Sequence, residues 1–113
     1  MRKELGSGSY SEVYLCKRKE DKGKQGKYSA LKCIDRTQIE REQKSHHVFV
    51  EKEVLFSFPD KKVVNLYSSF KDKDYFYLEI EYCKNGEFAK FLKSEKKLPL
   101  NTAKFFAAEC LLI

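Results

Sequence analysis

The run Leu5-Gly6-Ser7-Gly8-Ser9-Tyr10-Ser11-Glu12-Val13 decides how the rest of the chain is read. Lys3 to Leu5 reads as a strand entering a glycine-rich turn, and Glu12 to Lys19 alternates as the strand leaving it. Glycines lack Cβ, so the backbone there can approach an anion closely and offer it N–H donors. A plain tight hairpin would use the same two glycines. A strand after the turn, where a helix should follow, disfavours a dinucleotide-binding fold. No Gly-Lys-Ser or Gly-Lys-Thr run is present, which disfavours a P-loop nucleotidase.

Outward from that turn, Tyr28 to Asp35 reads as a third strand. Its closeness in sequence argues for an antiparallel meander, since a parallel crossover needs more residues. The basic run Lys17-Arg18-Lys19, continued by Lys22, Lys24 and Lys27, reads as the hairpin tip between the second and third strands. Val48, Glu51, Val54, Leu55 and Phe58 recur at helical spacing as an apolar stripe carrying a single acid, and Pro59 ends that helix. Val63 to Phe70 and Tyr75 to Tyr82 are two further strands joined by Lys71-Asp72-Lys73-Asp74. In the second, Phe76, Leu78 and Ile80 share one face, while Tyr75, Tyr77 and Glu79 share the other. Asn85-Gly86 marks the exit, Glu87 to Lys93 reads as a short helix, and Thr102 to Ile113 as a stronger one capped by Asn101. The expected class is α+β: a five-stranded antiparallel sheet with one inserted helix, then further helices.

Composition bounds the function classes. A length of 113 residues suits one modest core, and nine Phe with seven Tyr supply its bulk. Lys and Arg exceed Asp and Glu by 23 to 17, yet the signs are interleaved, which argues for a solvated surface and against a nucleic-acid stripe. Four dispersed cysteines without a Cys-x-x-Cys pair suit a reducing compartment, cytoplasmic or nuclear. His46 and His47 lack partners at metal-site spacing, so no metal is expected. No signal peptide is visible, and no apolar run approaches the ~20 residues of a membrane span.

Two charges stand out. Ala30-Leu31-Lys32 puts a lysine inside an apolar strand, and Glu51 puts an acid on an apolar helix stripe. Each is expensive to bury alone. Separately each reads as a side chain that reaches solvent; together they suggest an ion pair holding the lysine against a phosphate.

Taken together, these motifs resemble the protein kinases. Leu5-Gly6-x-Gly8-x-Tyr10-Ser11-x-Val13 resembles the loop that covers ATP, Ala30-Leu31-Lys32 the lysine strand, and Glu51 the helix glutamate that pairs with it. Leu66 to Phe70 and Tyr77 to Glu87 are similar to the AGC-type serine/threonine kinases, and within them to the 3-phosphoinositide-dependent branch. Phe105-Phe106-Ala107-Ala108-Glu109 resembles the first long helix of the family's C-terminal lobe. The resemblance implies an N-terminal lobe over 1–83 and the start of a C-terminal lobe over 84–113.

It also implies residue roles. Gly6, Ser7, Gly8, Ser9, Tyr10 and Ser11 would cradle the phosphates of ATP, and Lys32, held by Glu51, would contact them. Leu5, Val13 and Ala30 would roof the adenine, with Ile80 behind it. The backbone of Glu81 and Cys83 would bind the ring edge, and Glu87 the ribose. The family further implies a docking site for phosphorylated hydrophobic tails of protein substrates. The residues that match it are Arg36, Ile39, Glu40, Lys52, Ser69, Lys71, Phe76 and Leu78.

The chain departs from the family at several positions. Asp60-Lys61 replaces a His-Pro pair, with Pro59 shifted upstream. Val50 stands where a base senses activation-loop phosphate, and Glu40 where an apolar residue belongs. Residues 1–113 contain no His-Arg-Asp and no Asp-Phe-Gly, so Mg²⁺ and its ligands are expected only in a longer kinase. Phe105, Phe106, Leu111 and Leu112 are expected to need a missing lobe or a chaperone to cover them. The expectation is a fragment, a truncated gene model or a remnant, inactive alone. The parent would transfer the γ-phosphate of ATP to Ser or Thr of proteins, or else retain this lobe as a non-catalytic docking module. Membrane recruitment, if any, would use regions outside this segment.

Overall fold

The computed structural model describes residues 3–17, 27–58 and 63–112. The basic tip over 18–26 and the Pro59-Asp60-Lys61 departure lie outside the described residues. The chain divides into two compact units, Met1–Tyr82 and Cys83–Ile113.

The first unit carries strands β1 (Lys3–Ser7), β2 (Ser11–Lys17) and β3 (Tyr28–Asp35), helices α1 (Arg36–Arg41) and α2 (Ser45–Ser57), then β4 (Leu66–Lys71) and β5 (Tyr75–Glu81). The strands form one antiparallel sheet in the order β1-β2-β3-β5-β4. The first three make the meander that short connections demand. The chain then leaves β3 through two helices and returns at the far edge as β4. The fold is α+β.

The sequence predicts one inserted helix; among the described residues there are two. The extra one, α1, is too short to display a hydrophobic period, and only its Ile39 is apolar and buried. Its start is nonetheless written in the sequence, because Asp35 Oδ1 accepts the Gln38 N–H at 3.0 Å as an N-cap. Gln43, at φ 54°, turns the chain into α2 while Lys44 N–H returns to Ile39 O at 2.8 Å.

The stripe on α2 is narrower than its spacing suggests. Val48 is buried, Leu55 packs on the core and Glu51 is half-buried, whereas Val54 and Phe58 are 43% and 55% exposed. Val54 sits six residues after Val48, well round the helix from it. Strand β4 begins at Leu66, later than the expected Val63. Before it, Asn65 directs its backbone N–H and Nδ2 to the Glu81 carboxylate (3.2 and 2.9 Å).

Ile34, Ile39, Val48 and Leu78 form the buried core, where the inner sheet face meets both helices. Burial of side chains of this size contributes about 1.5–3 kcal/mol each. Tyr10, Leu66, Phe76 and Ile80 close around them. On the opposite sheet face Phe70 stacks on Tyr77 with centroids 4.9 Å apart, and Glu79 accepts a hydrogen bond from Ser68 Oγ at 2.7 Å.

The second unit pairs α3 (Phe88–Glu95) with α4 (Leu100–Leu111). Phe106 packs on Phe88 (4.6 Å) and Phe91 (6.2 Å), so this phenylalanine is covered within its own unit. Phe105, Leu111 and Leu112 remain largely exposed, Leu111 at 85%. Helix α4 starts earlier than expected. Pro99, not Asn101, is its N-cap, its carbonyl accepting the Ala103 N–H at 3.0 Å, and Asn101 lies inside the first turn. Among the described residues no helix is long and apolar enough to cross a membrane.

Candidate functional site

Register builds the site. Gly6 pairs with Val13, Val13 with Lys32, and Lys32 with Leu78, so these four residues form one row across the sheet on its inner face. The next row places Leu15 beside Ala30 and Ala30 beside Ile80. Val13, Ala30, Lys32 and Ile80 therefore share a face, with Ala30 buried and the others half-buried. Leu5, also half-buried, sits where the β1–β2 register shifts.

Lys32 and Glu51 meet. Nζ lies 2.6 Å from Oε1, with the side chains 20% and 34% exposed. The pair ties β3 to α2 while leaving the ammonium partly open to solvent. A single carboxylate oxygen takes up one of the three ammonium donors.

Ser7 ends β1, and Gly8 N–H donates to Ser11 O at 2.7 Å, closing a tight turn over Ser9 and Tyr10. Neither Gly6 nor Gly8 has a positive φ, so backbone conformation does not demand glycine at either place. What the missing Cβ atoms give is clearance. At Gly8 a Cβ would sit 3.2 Å from Ser11 Oγ; at Gly6 it would meet no atom of the described residues within 4 Å. The face of the turn at Gly6 is thus open to something outside the chain. Tyr10 turns onto the core.

At the end of β5, Glu81 donates its N–H to Asn65 O at 2.9 Å. In the second unit Cys83 O accepts the Gly86 N–H at 3.3 Å, and exposed Glu87 caps α3 without a side-chain bond. Among the described residues no group of three or more His, Cys, Asp or Glu is placed to hold a metal ion.

A second concavity, of about 500 Å³, opens between α2 and the β4–β5 edge. Glu40, Lys52, Ser69, Lys71, Phe76 and Leu78 line it, all of them matched by sequence to the docking site. Ile39 does not line it, being 1% exposed in the core. Arg36 is turned aside: Nη1 donates to Asp72 O at 2.7 Å and its guanidinium lies 5.0 Å from the Phe76 ring centroid. Val48, Phe49, Phe70 and Tyr77 join the lining, none of them matched by sequence to the docking site. Phe49 is on α2, whereas the Phe70 and Tyr77 rings stack on the outer sheet face, so these two border the groove only from the β4–β5 edge. Gln38 also escaped the sequence reading, although its Nε2 donates to Ser9 O at 2.6 Å in the glycine-rich turn.

Comparison with known proteins agrees with this arrangement. The family model described as "Protein kinase domain" matches residues 1–112. The cAMP-dependent protein kinase catalytic subunit of Dictyostelium discoideum is 35% identical over 108 residues, covering 96% of this chain and 16% of that protein. The serine/threonine-protein kinase nrc-2 of Neurospora crassa is 36% identical over 107 residues, covering 93% and 16%. The 3-phosphoinositide-dependent protein kinase 1 of Arabidopsis thaliana is 34% identical over 104 residues, covering 92% and 20%. The chain thus spans a fifth or less of the length of these three relatives. At such even identities no single AGC-type kinase stands out, and the 3-phosphoinositide-dependent branch is one relative among several. Its sheet, its glycine-rich turn and a match over all but its last residue make this chain a member of the protein kinase domain family.

Proposed function

We propose that this chain is the nucleotide-holding portion of an ATP-dependent serine/threonine protein kinase. The observation that carries the reading is the row Gly6–Val13–Lys32, with Lys32 secured by Glu51 and an open face at Gly6. Phosphate oxygens fit this chemistry. Backbone N–H groups of the turn supply neutral donors, and the ammonium supplies positive charge that Glu51 aims without consuming. Val13, Ala30, Leu5 and Ile80 would give the apolar walls for adenine. The Glu81 carbonyl would take its edge, since the Glu81 N–H already donates to Asn65 O.

ATP bound here would bring the transferable phosphoryl group; this chain's residues hold and orient it. The family's base and Mg²⁺ ligands come from motifs that residues 1–113 do not contain, so this polypeptide alone transfers no phosphate. Calorimetric titration with ATP–Mg²⁺ tests the reading. Weak saturable binding is expected for wild type and is abolished in Lys32→Met. Equal heats for both proteins would overturn it, whereas phosphate transfer by the pure chain would contradict only its inactivity.

The groove beside α2 favours a second role in the same parent protein. Val48, Phe49 and Phe76 provide apolar walls, while Lys52 and Lys71 provide charge for a phosphorylated hydrophobic tail of a substrate. A phosphoserine peptide carrying two phenylalanines is expected to bind wild type, to lose affinity in Lys52→Ala and Phe76→Ala, and to ignore Lys32→Met. Glu40 in the lining opposes the phosphate, so Glu40→Ile is expected to tighten binding.

A further inference from the structure

The tip of the glycine-rich turn is fastened from the helical side. Asp35 N–H donates to Tyr10 O at 3.1 Å, and Gln38 Nε2 donates to Ser9 O at 2.6 Å. Gln38 is itself fixed from two directions. Its Nε2 also reaches Glu42 Oε1 at 3.1 Å, one helical turn further on, and its backbone N–H is capped by Asp35 Oδ1 at 3.0 Å. An amide that donates to two acceptors and sits in a capped helix has few other rotamers open to it.

The consequence is directional. Across a trans peptide bond the carbonyl and the next N–H point to opposite sides. Holding the Ser9 and Tyr10 carbonyls toward β3 and α1 therefore turns the N–H groups of Tyr10 and Ser11 the other way. Without these bonds, Tyr10 packing and the Gly8–Ser11 closure are what secure the tip among the described residues.

We infer that Gln38 is a positioning residue that presets the donors of the phosphate loop before any nucleotide arrives. The inference rests on reading the turn as nucleotide-holding. It makes α1 part of the site's support, a role no contact between α1 and nucleotide is needed to explain. A pre-set loop loses less freedom on binding, so its ligand binds more tightly.

Amide hydrogen exchange in the nucleotide-free chain decides whether Gln38 holds the loop. In Gln38→Ala the Gly8 and Asp35 amides are expected to exchange about three- to ten-fold faster, the range set by one net hydrogen bond. Amides in the middle of β3 and β5 should stay unchanged. Gln38→Arg, which keeps a donor for Ser9 O and a partner for Glu42, should restore the wild-type rates. Unaltered Gly8 and Asp35 exchange in Gln38→Ala overturns the inference. A rise shared by every sheet amide does so too, since it would mark a purely structural residue. Titration with ATP–Mg²⁺ then reads the consequence: Kd should rise by about the same factor in Gln38→Ala and recover in Gln38→Arg. If wild type gives no ATP response, the nucleotide reading itself fails, while the exchange comparison still decides whether Gln38 secures the turn.

Discussion

Lys32 on β3 and Glu51 on α2 meet at 2.6 Å although they stand 19 positions apart in the sequence. The pair lies at the border of the core, where an ion pair this exposed adds at most about 1 kcal/mol of stability. Its value is therefore positional. Lys32→Met is expected to move the urea midpoint little while removing the response to ATP. A large loss of stability in that variant would recast the pair as a structural strut.

Ile34 and Ile39 are the most deeply buried large side chains. Ile39→Ala is expected to destabilise the first unit by about 2–5 kcal/mol, and Ile34→Val by about 0.5–1.5 kcal/mol. Exposed Val54→Ala should stay within about 0.5 kcal/mol. Chemical denaturation followed by far-ultraviolet circular dichroism separates the three. A Val54 effect as large as that of Ile39 would contradict the inner and outer faces assigned to α2.

The β4–β5 turn carries a pH signature. The Asp72 carboxylate is held below its ordinary range, first by the Tyr77 hydroxyl at 2.6 Å and then by the backbone N–H groups of Tyr75 and Asp74. Asp72 stabilisation is thus present above the usual aspartate pKa and fades as pH falls through the lowered value. Tyr77 is pushed up to about 12, first by its bond to Asp72 and then by desolvation. Its contribution is complete below the ordinary tyrosine value of about 10 and is lost as pH rises toward 12. Tyr14 behaves alike through its hydrogen bond to Glu12, also reaching about 12. Tyrosinate absorbance should show both late titrations, and Asp72→Asn should bring Tyr77 down while leaving Tyr14 high.

Asp35 joins strand, helix cap and loop. Asp35→Ala removes the α1 cap and is expected to cost about 0.5–2 kcal/mol. Exchange of the Gln38 amide should rise with it. Protection of that amide in the variant would show that the cap carries no weight.

Much of this was readable beforehand. The bounds of β3 agree with the expected Tyr28–Asp35 because a strand buried on one face and flanked by turn signals announces itself. The inward set Phe76, Leu78 and Ile80 follows from alternation alone, and all three contact the core. Helix α1 did not announce itself, since Arg36–Arg41 has one apolar residue and no period to detect. The Pro99 cap was missed because Asn101 is the better capping residue by propensity, whereas Pro99 is already extended at φ −55° and ψ 146°. Gln38 and the Phe49 wall depend on contacts between elements, which no local pattern encodes.

The most direct test of the central claim is nuclear magnetic resonance of the Lys32 ammonium during titration with ATP–Mg²⁺. The account predicts that this resonance and the Gly6 and Gly8 amides shift together with one saturation curve, and that all of these amide shifts vanish in Lys32→Met. An unmoved Lys32 resonance alongside bound ATP, or Gly6 and Gly8 shifts that persist without the lysine, would contradict it.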